Sequence, residues 1–116
     1  MKTTFIFRAF IVFSIVMANF TFANPSQRLD TATFQVSGNC GMCKKTIEGS
    51  LKGLKGITSD TWNVTTKQMT VVYDPRLVTL VEIHKKIAAS GYDTDKVKAS
   101  DAAYHALHMC CQYKRK

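Results

Sequence analysis

Two cysteines separated by two residues, in the segment Gly38-Asn39-Cys40-Gly41-Met42-Cys43-Lys44, are the side chains here best suited to do chemistry. The thiolate, not the thiol, is the ligand and nucleophile, and a helix start favours it through free backbone N–H groups and the helix dipole. The spacing lets both sulfurs converge on one ion. Soft thiolates take Cu(I), Hg(II) or Zn(II) in preference to hard cations. With two protein ligands a near-linear geometry is open, which suits Cu(I), the leading expectation, or Hg(II). Tetrahedral Zn(II) would want two more ligands. Such an open pair also lets a partner's thiols replace its own one at a time, so transfer rather than storage is expected.

A second concentration of donors lies near the end of the chain, where His105, His108, Met109, Cys110 and Cys111 fall within seven residues. This tail is expected either to fold back and lend the site a further thiolate or to form a weaker second site. A helix cap with a basic end is the plain alternative. His105 and His108, three apart, would share a helical face. His84, beside Lys85, reads as an ordinary surface or boundary residue.

Two other uses of Cys40 and Cys43 stay open. One is a thiol-disulfide oxidoreductase, since such enzymes also carry Cys-x-x-Cys at a strand-to-helix junction. No Trp precedes Cys40, however, and neither Pro25 nor Pro75 sits beside the thiols. The other is structural: a disulfide, or a zinc knot joining Cys40 and Cys43 to Cys110 and Cys111. A Cys-x-x-Cys loop is too short to restrain much unfolded chain. Adjacent cysteines bridge each other only with strain, and at most one of Cys110 and Cys111 is expected to be a comfortable ligand.

The elements that must position the pair follow from periodicity. Residues 31–37 alternate, with Ala32, Phe34 and Val36 on one face, as in a half-buried strand. From Gly41 the spacing changes to Cys43, Ile47, Leu51 and Leu54, one face of a helix expected to end near Gly53 to Gly56. Residues 57–64 give a second strand with an irregularity near Asp60. A polar turn at 65–68 leads into a third, whose inner face carries Met69, Val71 and Tyr73. Thr79 and Glu82 have capping-box spacing ahead of a helix through Leu80, Ile83, Ile87 and Ala88, closed by Gly91. Residues 92–98 read as a short polar edge strand. The order βαββαβ implies an α+β sandwich, a four-stranded antiparallel sheet with both helices on one face. A C-terminal extension with a short helix at 101–107 follows.

At 116 residues and a formal charge of +8, one small basic domain is expected. Lys2 and Arg8 followed by an apolar run and Thr21-Phe22-Ala23 read as a secretory signal over residues 1–23, with cleavage after Ala18 or a retained anchor as alternatives. The mature chain would be exported, periplasmic in a Gram-negative bacterium, and not inserted in a membrane. No aromatic-basic stripe is present, so nucleic acid is not an expected partner. No acid–base pair, phosphate loop or hydrolytic triad is visible, and no enzymatic activity is expected.

Over residues 31–98 the chain resembles the heavy-metal-associated domain family, which includes copper chaperones and periplasmic mercury-binding proteins. The likeness rests on Cys40-x-x-Cys43, the βαββαβ order, the 64–74 hairpin ending Tyr73-Asp74-Pro75, and Gly91-Tyr92-Asp93. It implies a ferredoxin-like domain over 30–98, an extension over 99–116, and Tyr92 close to the metal loop. The expected partner is a metal-transporting membrane protein or another metal carrier, and a metal-bridged dimer is an open alternative. One departure is evident. The family pattern Gly-Met-x-Cys-x-x-Cys places a methionine before the first cysteine, whereas here Met42 lies between the two and is expected to serve core or loop packing.

Overall fold

Alternating side chains build the first strand, β1 (Asp30–Gln35), in which Phe34 is buried and its neighbours Thr33 and Gln35 face solvent. A computed structural model describes residues 28–116. The secretory-signal reading of residues 1–23 lies outside the described residues. Among those described, no helix is long and apolar enough to cross a membrane.

After β1 come α1 (Gly41–Gly49), β2 (Ile57–Trp62), β3 (Gln68–Tyr73), α2 (Leu80–Ala89), α3 (Asp101–His105) and a 3-10 turn (Met109–Cys111). The strands form one antiparallel sheet in the order β1-β3-β2. The irregularity expected near Asp60 is a register shift between Ile57 and Ser59. The β2–β3 turn is held by the Asn63 side chain, whose Oδ1 accepts the N–H groups of Thr65 and Thr66. Lys67 there takes a left-handed conformation, φ 61°.

Trp62, Met69, Val71 and Tyr73 of the sheet, with Phe34 and Val36, bury one face against Cys43, Ile47 and Leu51 from the first helical segment and Ile83 and Ile87 from α2. Fully burying an aliphatic side chain contributes about 1.5–3 kcal/mol, so this cluster is the main stabilising unit. The Trp62 indole N–H is satisfied by the Val36 carbonyl at 3.0 Å.

Three expectations need correction. The fourth strand is reduced to a single bridge, Val36 with Thr94, flanked by the Ser37 N–H to Asp93 O and Asp95 N–H to Gln35 O bonds. Thr94 ends the pairing because its hydroxyl accepts the N–H groups of Lys96 and Val97 and its own N–H reaches the Val97 carbonyl, curling the chain into a turn. α1 stops at Gly49, short of Gly53, where the Ser50 hydroxyl takes the Ile47 carbonyl at 2.6 Å. Leu51 still reaches the core from the turns that follow. His84 is not at the surface: it is 2% exposed, tilted against Phe34 at 4.0 Å between ring centres, with Nδ1 2.7 Å from the Thr94 hydroxyl. Its place beside Ile83 and Ile87 on the inner stripe of α2 explains the burial, which lowers its pKa.

The capping box is formed: the Thr79 hydroxyl accepts the Glu82 N–H while the Glu82 carboxylate accepts the Thr79 N–H. At the far end of α2, Gly91 has φ +107°, and a Cβ there would lie 2.7 Å from the Ala103 carbonyl oxygen. Only glycine fits where the terminal segment crosses this turn.

Candidate functional site

Gly38 begins the loop that carries the cysteines, and it packs flat on the core. A Cβ at this position would come within 3.0 Å of two Trp62 ring carbons. Cys40 follows as the N-cap of α1, with extended backbone, φ −147° and ψ −178°, and its carbonyl accepts the first helical bond from Lys44. Cys43, one turn on, is fully buried, whereas Cys40 is half-buried.

The two sulfurs lie 3.7 Å apart. The backbone N–H groups of Cys43 and Met42 hold the Cys40 thiol below its ordinary pKa, the helix-start effect expected on electrostatic grounds. The Asn39 N–H points at the Cys43 sulfur from 3.4 Å. Lys44, next to Cys43 in sequence, turns away to the Trp62 carbonyl and Glu48, both at 2.8 Å. A different cation stands nearer the loop: the Lys67 ammonium donates to the Asn39 carbonyl at 3.3 Å.

The terminal segment returns to this loop. Beyond α3, the tight 3-10 turn, closed by Cys111 N–H to His108 O, sets the Cys110 and Cys111 sulfurs 4.0 Å apart. The sulfurs of Cys40, Cys110 and Cys111 all lie within 4.8 Å of one another. Adjacency therefore does not limit the tail to one approaching thiol, because the 3-10 turn presents both to Cys40. Cys110 is exposed and directs its thiol to the Met42 sulfur at 3.7 Å. Cys111 is buried, and its thiol is pushed up to about 12 by that burial and by its contact with the Cys43 thiol.

His108 and Met109 were grouped with these ligands by sequence proximity, but the structure separates them. His108 is the exposed residue that begins the 3-10 turn, and Met109 is 88% exposed. His105 and His108 do not share a helical face, because α3 ends at His105 and Ala106 caps it. Met42 is half exposed over the loop rather than sunk in the core. Tyr92 is fully buried beneath the thiols; burial first, then Cys111, raises its pKa far above the ordinary phenol value, so it stays neutral.

Residues with no motif around them hold the tail in place. Tyr113 is buried, stacks on Tyr92 at 6.1 Å, donates its hydroxyl to the Gly91 carbonyl and accepts the Asp93 N–H. Arg115 grips Asp93 through two nitrogens, at 2.8 and 3.0 Å, and also bonds Asp101 and the Ala99 carbonyl. Burial alone would raise the Asp93 carboxyl, but Arg115 and the Ala99 N–H more than reverse this and lower it. The Asn39 amide donates to the Cys110 carbonyl at 3.3 Å, tying loop to tail. In the sequence these contacts are signalled only by the tyrosines at 92, 104 and 113, which follow no period.

A family model for the heavy-metal-associated domain matches residues 33–93. A zinc-transporting ATPase of Synechocystis is 43% identical over 76 residues, 65% of this chain, and the chain spans only 10% of that ATPase. The copper chaperone CopZ of Staphylococcus aureus is 34% identical over 55 residues, 47% of this chain and 81% of the chaperone. The solved structure of a CopZ metallochaperone superposes with a TM-score of 0.54 at 32% identity, over 56% of this chain and 98% of its own. The matched family segment contains Cys40, Cys43 and Tyr92 and ends before Cys110. On the fold, the cysteine pair at the head of α1 and these likenesses together, the chain belongs to the heavy-metal-associated domain family.

Proposed function

We propose that the protein is an exported carrier of a soft metal ion, Cu(I) foremost with Hg(II) or Zn(II) as the other candidates, that captures the ion through Cys40 and Cys43 and passes it on. The observation that carries this reading is the pair of sulfurs 3.7 Å apart at a helix start. Cys40, nearer solvent and with its thiolate favoured, meets the ion first. Cys43, fixed in the core, completes the grip, and each thiol gives up its proton as its sulfur binds.

Release runs by ligand exchange. A thiolate of the acceptor adds to the ion, Cys40 leaves and is reprotonated, and a second acceptor thiolate then displaces Cys43. The names of the relatives, a zinc-transporting ATPase and a copper chaperone, support a metal-transporting membrane protein or another carrier as acceptor. Export is supported by the basic start and apolar run of residues 1–23. The antiparallel β2–β3 hairpin after α1 favours a carrier over a thioredoxin-like catalyst.

Titration of the reduced protein with Cu(I), Hg(II) and Zn(II) against competing chelators tests the reading. Loss of a ligand's hydrogen-bond partner alone lowers metal affinity about 10–100-fold, and Cys40→Ser/Cys43→Ser should lower Cu(I) affinity by more than that. Equal binding by the double variant ends the proposal. An insulin-reduction assay should show no turnover, and catalytic turnover would favour the oxidoreductase instead.

A further inference from the structure

The family's site is a pair of cysteines, but four thiols meet here. Three sulfurs bound about 2.3 Å from a common centre lie about 4 Å from one another. Cys110 and Cys111 are 4.0 Å apart, and both lie within 4.8 Å of Cys40. These separations are close to those that three sulfurs on one ion require. The tail that carries Cys110 and Cys111 is fixed by Tyr113, Arg115 and the Asn39 amide.

We infer that the terminal segment is part of the metal site, with Cys110 and Cys111 joining Cys40 as ligands of one Cu(I) ion in a three-thiolate arrangement. This deepens the proposed function and rests on it. Cys40 is the common member of both groupings, 3.7 Å from Cys43 on one side and within reach of the tail pair on the other. An ion held at Cys40 can therefore move between the loop partner and the tail partners without leaving the protein. Cys110, exposed and 3.7 Å from the half-exposed Met42 sulfur, is the solvent-facing member of the tail pair. Three thiolates suit Cu(I), a soft ion that accepts trigonal coordination.

The full chain loaded with one equivalent of Cu(I) decides this. X-ray absorption should count three sulfur neighbours per copper in the wild type and two in Cys110→Ser/Cys111→Ser, with affinity about tenfold lower or more in the variant. Met109→Ala should match the wild type. Equal sulfur counts and affinities in wild type and the tail variant would overturn the inference while leaving Cys40 and Cys43 as the site. Two coppers per chain, one of them lost in the tail variant, would also overturn it, since the tail would then be a separate site.

Should the tail variant fail to fold, alkylation of the unmodified protein supplies the answer. Cu(I) should protect Cys110 from iodoacetamide, and an unchanged labelling rate at Cys110 refutes its role. Failure of the proposed function is distinguishable, because Cys40→Ser/Cys43→Ser would then bind Cu(I) normally.

Discussion

At Tyr92 the hydroxyl oxygen is buried with no hydrogen-bond partner among the described residues, next to thiols that bond weakly at best. An unsatisfied buried polar group costs about 1–3 kcal/mol. Tyr92→Phe should therefore leave the stability of the metal-free protein unchanged or raise it by about 1 kcal/mol in urea denaturation. A loss of that size would mean the hydroxyl is bonded after all. The chemistry of Cys40 and Cys43 was legible in the sequence because their spacing and the helix start are local. The place of Met42 was not, since its neighbour, Cys110, lies 68 positions away.

Helices and hairpin were equally legible: α2 carries its own capping box, and β3 its own alternation. Where elements failed, a polar side chain outcompeted the ladder. Thr94 cut the fourth strand and Ser50 shortened α1. His84 was misplaced because one titratable residue on an inner stripe reads as an error in the pattern rather than as part of the core. Its pKa is lowered by burial, with the nearby Asp95 carboxylate opposing the shift and Lys96 adding to it. The unfolded chain thus binds more protons than the folded one just below the ordinary value of 6.5, and stability should rise with pH through that window. Melting curves from pH 5 to 7 should show the slope in the wild type and a flatter profile in His84→Gln. Equal slopes would assign it elsewhere.

For the molecule as a whole, the terminal segment is a structural part of the core rather than an appendage. Tyr113 is 3% exposed and joins the cluster built by sheet and helices. Truncating a buried aromatic costs about 3–5 kcal/mol, so Tyr113→Ala should lower stability by about 3 kcal/mol in denaturant unfolding. A change below 1 kcal/mol would show that the tail unfolds separately. The return of the tail to the loop was expected from its cysteines, but the means of holding it there was not legible, since Arg115, Asp93 and Tyr113 follow no period and meet only once the chain has folded.

The Asn39 amide and the Cys110 carbonyl it holds are 71 positions apart in the chain. Closing a loop of that length costs conformational entropy that grows with the logarithm of its size. Folding has already met that cost through tyrosine stacking and the Arg115 fork, before any cargo arrives. The sulfurs thus wait at their separations as a preset template. An arriving ion spends little of its binding energy on ordering chain, which leaves more of it to distinguish one cation from another.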